Sequence, residues 1–172
     1  MTPSQTPAPT FSSSDLRFNV IQEDEHLNIT AEDHISRQQW RAWALKTIQL
    51  AMQYYEQDFS TAEISLNIVA SELGRYYNHT YRHKDYATNI LTFEYGIDEM
   101  HTLRADLVLC WPVLKQQAIE QHKTVKHHAC HLLVHGILHA MGFDHEDRED
   151  AEVMEELEIS ILHAYKIENP YL

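Results

Sequence analysis

The stretch "HGILHAMGFDH", residues 135–145, constrains the fold of this 172-residue chain more than any other feature. Residues four apart lie on one face of a helix, so His135 and His139 can direct both rings at one point. Gly142 can adopt the left-handed conformation that ends a helix, which lets His145 approach from outside it. The spacing therefore predicts three imidazoles that converge from a helix and from the turn that follows it.

Three imidazoles in this arrangement suit one Zn²⁺ ion per chain and leave at least one coordination position open, as in catalytic rather than structural zinc sites. The alternative is a helix that is merely rich in histidine, since His127, His128 and His131 lie just upstream. We expect His127 and His128 to face solvent, and His131, one turn before His135, to stand behind the ligands. The zinc site is the interpretation that we favour.

The spacing H-x3-H-x2-G-x2-H matches the zinc-binding run of metzincin proteases, in which a glutamate beside the first histidine is the general base. That position is Gly136 here. A glycine inside a helix costs about 1 kcal/mol relative to alanine, so we interpret it as a need for space, either for close packing or for access to the metal. Zinc lowers the pKa of a bound water to about 7 without a strong protein base, which suits hydrolysis of a phosphodiester if a cation stabilises the developing charge.

The segment "RYYNHTYRHK", residues 75–84, is the candidate source of that cation. It has three fixed positive charges, two histidines, three tyrosines and no acidic residue. Arg82 can bind phosphate oxygens bidentately, while Tyr76, Tyr77 and Tyr81 offer faces on which unpaired bases can stack. The alternative is a solvated polar loop with tyrosines packed at its edge.

Net charge argues against a general nucleic-acid binder, since the chain carries −13 at pH 7. However, residues 146–158 hold eight acids and one base, which contribute −7 and leave −6 for the rest. The apolar run Leu107–Leu114 is far shorter than the roughly 20 residues needed to cross a bilayer. We therefore expect a soluble protein of the cytoplasm with no membrane partner, and buried free thiols at Cys110 and Cys130.

Residues 1–14 are rich in Pro, Ser and Thr and carry no charged side chain, which predicts a disordered tail without a signal peptide. Residues 15–172 are predicted to form a single α/β (α+β) domain in which helices cover a sheet of about four strands. Strands are predicted within Leu16–Ile29 and at Glu63–Ile68, Asn89–Tyr95 and Ala105–Cys110. About five helices are predicted: one capped by Ser36, one capped by Ser71 and ending near His79, Pro112–Gln121, Val125–Met141 capped by Thr124, and Glu149–Tyr165.

Two long motifs, "NHTYRHKDYATNILTF" and "HGILHAMGFDH", occur with "ADLVLC" between them and an acidic helix after them. In this order they resemble the YbeY family of bacterial single-strand-specific endoribonucleases, over roughly residues 60–172. The resemblance implies a mixed four-stranded sheet beside a helix that carries two metal ligands. It also implies a zinc-dependent enzyme of ribosomal RNA processing, notably at the 3′ end of the small-subunit RNA, and of ribosome quality control. Its expected partners are single-stranded RNA, ribosomal RNA and the small ribosomal subunit.

The resemblance also assigns roles to single residues. His135, His139 and His145 match the zinc ligands of the family, and Arg82 matches its functional arginine, so we expect Arg82 and His135 to be catalytic. One departure is Ala105, where the family usually has glycine.

Three further residues keep two interpretations each. Thr88 and Asn89 match a T-N pair of the family that either positions the substrate backbone or caps the loop, and Asp106 either orients a ligand or holds structure. Two rival functions also stay open at this stage: a zinc peptidase, and a non-enzymatic ribosome-assembly factor whose zinc is structural.

Overall fold

The computed structural model describes residues 10–24, 27–84, 86–144 and 146–172, so His145 lies outside the described residues. In these ranges the elements are β1 (Leu16–Gln22), α1 (Arg37–Tyr54), β2 (Thr61–Val69), α2 (Ser71–Arg82), β3 (Ile90–Ile97), β4 (Thr102–Cys110), α3 (Trp111–Glu120), α4 (Val125–Ala140) and α5 (Arg148–Ala164). A short 3-10 helix, Ser13–Asp15, precedes β1.

The four strands form one mixed sheet in the order β1-β2-β4-β3. β2 is parallel to both β1 and β4, whereas β3 runs antiparallel to β4 and lies at one edge of the sheet. The expected α/β class and the mixed four-stranded sheet are therefore confirmed.

The alternation of side chains divides the sheet into two unlike faces. We call the first the principal face. Its β2 and β4 side chains, such as Leu66 and Leu107, pack with α1, α3, α4 and α5 in the main core of the protein. Trp40 and Trp43 of α1 are buried in this core.

The opposite face, which we call the second face, carries a much smaller core. Val69, Leu91, Val108 and Cys110 pack there with side chains of α2 such as Leu73. Beyond α2 this face is lined by polar side chains of three strands: Arg17, Asn19, Glu63, Ser65, Arg104 and Asp106. The sheet thus has one thickly covered face and one that is partly bare.

Two of the predicted helix caps are confirmed. Ser36 accepts a hydrogen bond from the backbone N–H of Gln39, and Thr124 accepts one from that of His127. The predicted Ser71 cap is wrong: Ser71 is the first residue of α2, and its neighbour Ala70 occupies the cap position without a side-chain bond. α2 also runs beyond His79 to Arg82.

The predicted disordered tail is wrong for its last residues. Phe11 is only 6% exposed and meets Phe59 edge-to-face, with ring centroids 6.0 Å apart. Gln49 donates a hydrogen bond to the Phe11 carbonyl, and Arg41 donates to Ser13. A single large aromatic side chain anchors this segment to the core, although its composition is that of a tail. Residues 1–9 lie outside the described residues.

Both cysteines are buried free thiols, as expected. Burial raises the pKa of Cys110 and raises that of Cys130 to about 12, so neither is a ready thiolate. Across the described ranges, no helix combines the length and apolar character that a bilayer-crossing segment needs.

Candidate active site

His135 and His139 occupy successive turns near the end of α4, as the sequence predicted. Their ring centroids are 5.7 Å apart, and their side chains are 23% and 25% exposed. α4 ends at Ala140, and Gly142 has the left-handed φ of +98° that the prediction required. The convergence of His145 on the two rings stays a prediction, because that residue lies outside the described part of the chain.

A buried carboxylate lies directly behind His135. Glu158 of α5 is fully buried, and its Oε1 lies 2.6 Å from Nδ1 of His135. Its Oε2 accepts hydrogen bonds from Nε2 of His131, at 3.1 Å, and from the Tyr171 hydroxyl. Burial alone would raise the pKa of Glu158, but these hydrogen bonds outweigh burial and lower it to about 2. Glu158 is therefore the hydrogen-bond partner that these three side chains share.

The second ring of the pair also meets a carboxylate. Nδ1 of His139 lies 3.3 Å from Oε1 of Glu94, a β3 residue whose side chain is 47% exposed. Zinc-binding histidines commonly donate their other ring N–H to a carboxylate, which turns the remaining nitrogen toward the metal. The Nδ1 contacts of both rings fit that pattern and turn Nε2 of each ring away from its carboxylate.

The fit to zinc depends on His145. Among the described residues, no three His, Cys, Asp or Glu side chains are grouped so that they could hold a metal ion. The two imidazoles with their carboxylate partners supply the correct donor chemistry for zinc, and a third donor is needed from outside the described ranges.

Close packing explains why a glycine occupies position 136, where metzincin proteases have a glutamate. A Cβ atom at this position would lie 2.9 Å from Ile90 Cδ1 and 3.3 Å from Leu107 Cδ2. Thr92 also donates a hydrogen bond of 3.4 Å to the Gly136 carbonyl. The glycine therefore serves close packing of α4 against β3 and β4, and a glutamate here would run into the sheet.

The upstream histidines differ from one another. His127 is exposed, as expected, and His131 stands behind His135 through Glu158. The expectation that His128 faces solvent is wrong: it is 2% exposed and donates from Nε2 to Oε1 of Gln117. Because α4 packs against α1, α3, α5 and β3, even its first turn has a buried side. Burial, aided by the nearby His131 and Lys123, lowers the pKa of His128 to about 4.

Asn89 makes contacts that hold the start of β3. Its amide donates to Oε1 of Gln117, and its own Oδ1 accepts from the backbone N–H of Ile90. These bonds are those of a loop-capping residue. The substrate role of Thr88 and Asn89 stays a prediction.

Arg82 and Asp106 belong to the other side of the sheet. Arg82 is the exposed last residue of α2, and α2 packs on the second face, where Gly74 approaches Cys110 Sγ. Asp106 also lies on the second face, and its Oδ2 accepts a 2.9 Å hydrogen bond from the Tyr95 hydroxyl. The structure therefore brings His135 and His139 together but places Arg82 and Asp106 across the sheet from α4.

The aromatic residues of α2 form a cluster at the edge strand. Tyr81 meets Phe93 of β3 edge-to-face at 4.9 Å, and Tyr77 stacks on Tyr81 at 6.2 Å. Tyr76 and Tyr81 remain well exposed. The segment expected to be partly a loop is thus mostly helical, and it presents Arg82 beside exposed aromatic rings.

Residues 26–166 match the family model described as Endoribonuclease YbeY. The chain belongs to this family. Three curated relatives carry the same description. A Bordetella petrii protein is 54% identical over 110 residues, which are 64% of this chain and 71% of the relative. A Janthinobacterium protein is 47% identical over 158 residues, 91% and 95% of the two chains, and a Bordetella avium protein is 44% identical over 142 residues, 83% and 88%.

Sequence patterns did not predict the contacts of Glu94, Glu158 or Tyr171 with the histidines. A signal existed for two of them. Glu94 shares the alternation of Ile90 and Thr92, which face α4, and Glu158 lies four residues after Met154 on the apolar stripe of α5. No pattern connected Tyr171 to the histidines.

Proposed function

We propose that the protein is a zinc-dependent endoribonuclease of the cytoplasm that cuts single-stranded RNA. Its proposed role is ribosomal RNA processing on the small ribosomal subunit, including 3′-end maturation, and ribosome quality control. The observation that supports it best is the His135 and His139 pair, each ring held through Nδ1 by a carboxylate, in a chain of the YbeY endoribonuclease family. Such a pair is suited to a metal-assisted hydrolysis.

His135, His139 and His145 are the residues that would hold the zinc ion. When bound, zinc supplies Lewis-acid chemistry for attack on a phosphodiester. Glu158 and Glu94 keep the two α4 rings in position. With Gly136 closely packed against the sheet, no side chain at that position acts as the base of a peptidase, which favours phosphodiester over peptide hydrolysis.

The RNA strand is proposed to cross the edge of the sheet at β3. α4 meets β3 on the principal face, through Glu94 and Thr92, while the end of α2 meets β3 on the second face, through Phe93. A strand that passes over this edge would contact the end of α2 on one face and the end of α4 on the other. Arg82 would then bind a backbone phosphate, and the exposed rings of Tyr76 and Tyr81 would stack unpaired bases.

The test combines metal analysis with cleavage of a labelled single-stranded RNA, with and without a chelator. We expect His139→Ala to lose both zinc and cleavage, and Arg82→Glu to keep zinc but lose RNA turnover. The matched control is His127→Ala, an exposed histidine of the same helix, which should keep both. Casein should stay intact in every case. Cleavage that persists in both His139→Ala and Arg82→Glu would refute the assignment.

A further inference from the structure

Glu158 connects three parts of the chain in one buried contact. It belongs to α5, it bonds His131 and His135 of α4, and it accepts a hydrogen bond from Tyr171, which follows α5. Its side chain is fully buried. A carboxyl group in such a position needs several hydrogen-bond partners to offset its desolvation, and these three residues supply them.

The position of the carboxylate determines which nitrogen of each ring faces it. Oε1 of Glu158 lies against Nδ1 of His135, and Oε2 lies against Nε2 of His131. A histidine that binds zinc commonly donates its other ring N–H to such a carboxylate, which in His135 places the hydrogen on Nδ1. In His131 the nitrogen turned away from Glu158 is Nδ1, which is buried without a hydrogen-bond partner among the described residues. The two neighbouring histidines thus contact the carboxylate through opposite ring nitrogens, and of the two only His135 has Nε2 on the side away from it.

Tyr171 fixes the carboxylate from the other side. Its hydroxyl donates to Oε2, the same oxygen that His131 contacts, so Oε1 is left to His135. The Tyr171 ring also meets the His131 ring edge-to-face at 5.9 Å. Oδ1 of Asn169 accepts from the Tyr171 N–H at 2.8 Å, which holds the backbone that carries the tyrosine.

We propose that Glu158 is a positioning residue for the zinc site: held by Tyr171 and His131, it keeps the hydrogen of His135 on Nδ1 and directs Nε2 to the metal. The inference rests on the proposed zinc function. The two α4 ligands are then unequally supported, because the carboxylate beside His139 is half exposed and its contact is 0.7 Å longer, 3.3 against 2.6 Å.

The experiment compares Glu158→Gln, Glu158→Leu and Tyr171→Phe with Glu156→Gln, an exposed acid of the same helix that matches the charge change. Long-range ¹H–¹⁵N NMR of the metal-free protein reports which nitrogen of His135 carries hydrogen. Competition with a chromogenic chelator reports zinc affinity. Near-UV circular dichroism verifies folding, and if Glu158→Leu does not fold, Glu158→Gln decides alone.

We expect Glu158→Gln to weaken zinc binding about 10- to 100-fold, since that is the usual effect of losing a partner behind a metal ligand. Gln keeps an acceptor oxygen, so His135 should retain more of the Nδ1–H form in Glu158→Gln than in Glu158→Leu. Tyr171→Phe should weaken binding by a smaller factor, and Glu156→Gln should leave it unchanged. If Glu158 served only to stabilise the fold, the fraction of His135 in the Nδ1–H form and the zinc affinity would not change together across these variants.

Two results would overturn the inference. One is wild-type zinc affinity in both Glu158 variants; the other is an unchanged His135 tautomer in the folded variant with the lowest affinity. A wild-type protein that binds no zinc overturns the proposed zinc function instead. In that case the metal-free NMR comparison still decides separately whether Glu158 sets the His135 tautomer.

Discussion

The two faces of the sheet carry the two parts of the candidate site, and the two parts differ in how closely they are packed. On the principal face, α4 is packed among α1, α3 and α5, and its His135 and His139 are held by carboxylates from neighbouring elements. On the second face, α2 and Val113 of α3 cover a small core, and α2 carries Arg82 with exposed tyrosines. A metal site needs side chains fixed in place, whereas binding a flexible RNA strand tolerates mobile contacts. The difference in packing between the two faces matches the division between metal binding and RNA binding that we propose.

The largest effect is expected when a buried leucine is replaced by alanine on each face in turn, which leaves a cavity there. Leu107→Ala removes a fully buried side chain from the principal face, and Leu91→Ala makes the same change on the second face. We expect the free energy of unfolding to fall by about 4 kcal/mol for Leu107→Ala and by about 2 kcal/mol for Leu91→Ala, because the thinner layer collapses more easily onto a cavity. Urea denaturation measures both. Equal losses would mean that the two cores are equally rigid.

How far the sequence predicted this division depends on the residue. The four-residue spacing of His135 and His139 and the helix-ending Gly142 predicted the geometry of α4 because both are local properties of a helix. Burial of His128 and of Phe11 depends on elements far along the chain, which local periodicity does not report. For this reason the solvent-facing prediction for His128 and the tail prediction for Phe11 were wrong.

The position of Arg82 in the fold also could not be predicted from its own segment. Its residue type and aromatic neighbours predicted contact with an anionic backbone, but nothing in the segment indicated which face of the sheet α2 would cover. For Glu158, by contrast, the position in the fold could be predicted but the partner could not. Its place on the apolar stripe of α5 was visible in the sequence, and a lone acid on such a stripe indicates a buried partner. What the sequence lacked was the identity of that partner on α4.

The next largest effect is the pH dependence of stability that His128 gives to the principal face. Buried His128 is neutral in the folded protein, with its pKa lowered from 6.5 to about 4, whereas the unfolded chain takes up the proton near pH 6.5. Stability should therefore fall as pH drops from about 6.5 to about 4, by up to about 3 kcal/mol from this residue. His128→Gln should flatten the pH dependence of urea unfolding in this window. The exposed His127→Gln is the control, and an equal flattening there would contradict the assignment.

The smallest effect compares the two glycines at which a helix approaches the sheet. Gly136 of α4 and Gly74 of α2 would each gain about 1 kcal/mol of helix propensity on replacement by alanine. The new Cβ would lie 2.9 Å from Ile90 Cδ1 at position 136, and 3.1 Å from Cys110 Sγ at position 74. Leu107 Cδ2, which belongs to a fully buried side chain, would lie 3.3 Å from the Cβ at position 136, and α4 is packed among α1, α3 and α5, so overpacking should prevail and Gly136→Ala should lose about 1 kcal/mol net. α2 can shift outward from the second face, so Gly74→Ala should stay within about 0.5 kcal/mol of the wild type. Thermal and urea unfolding measure the change in the free energy of unfolding of each variant. A Gly136→Ala protein that is more stable than the wild type would show that the principal face accommodates the added methyl group more easily than the second face.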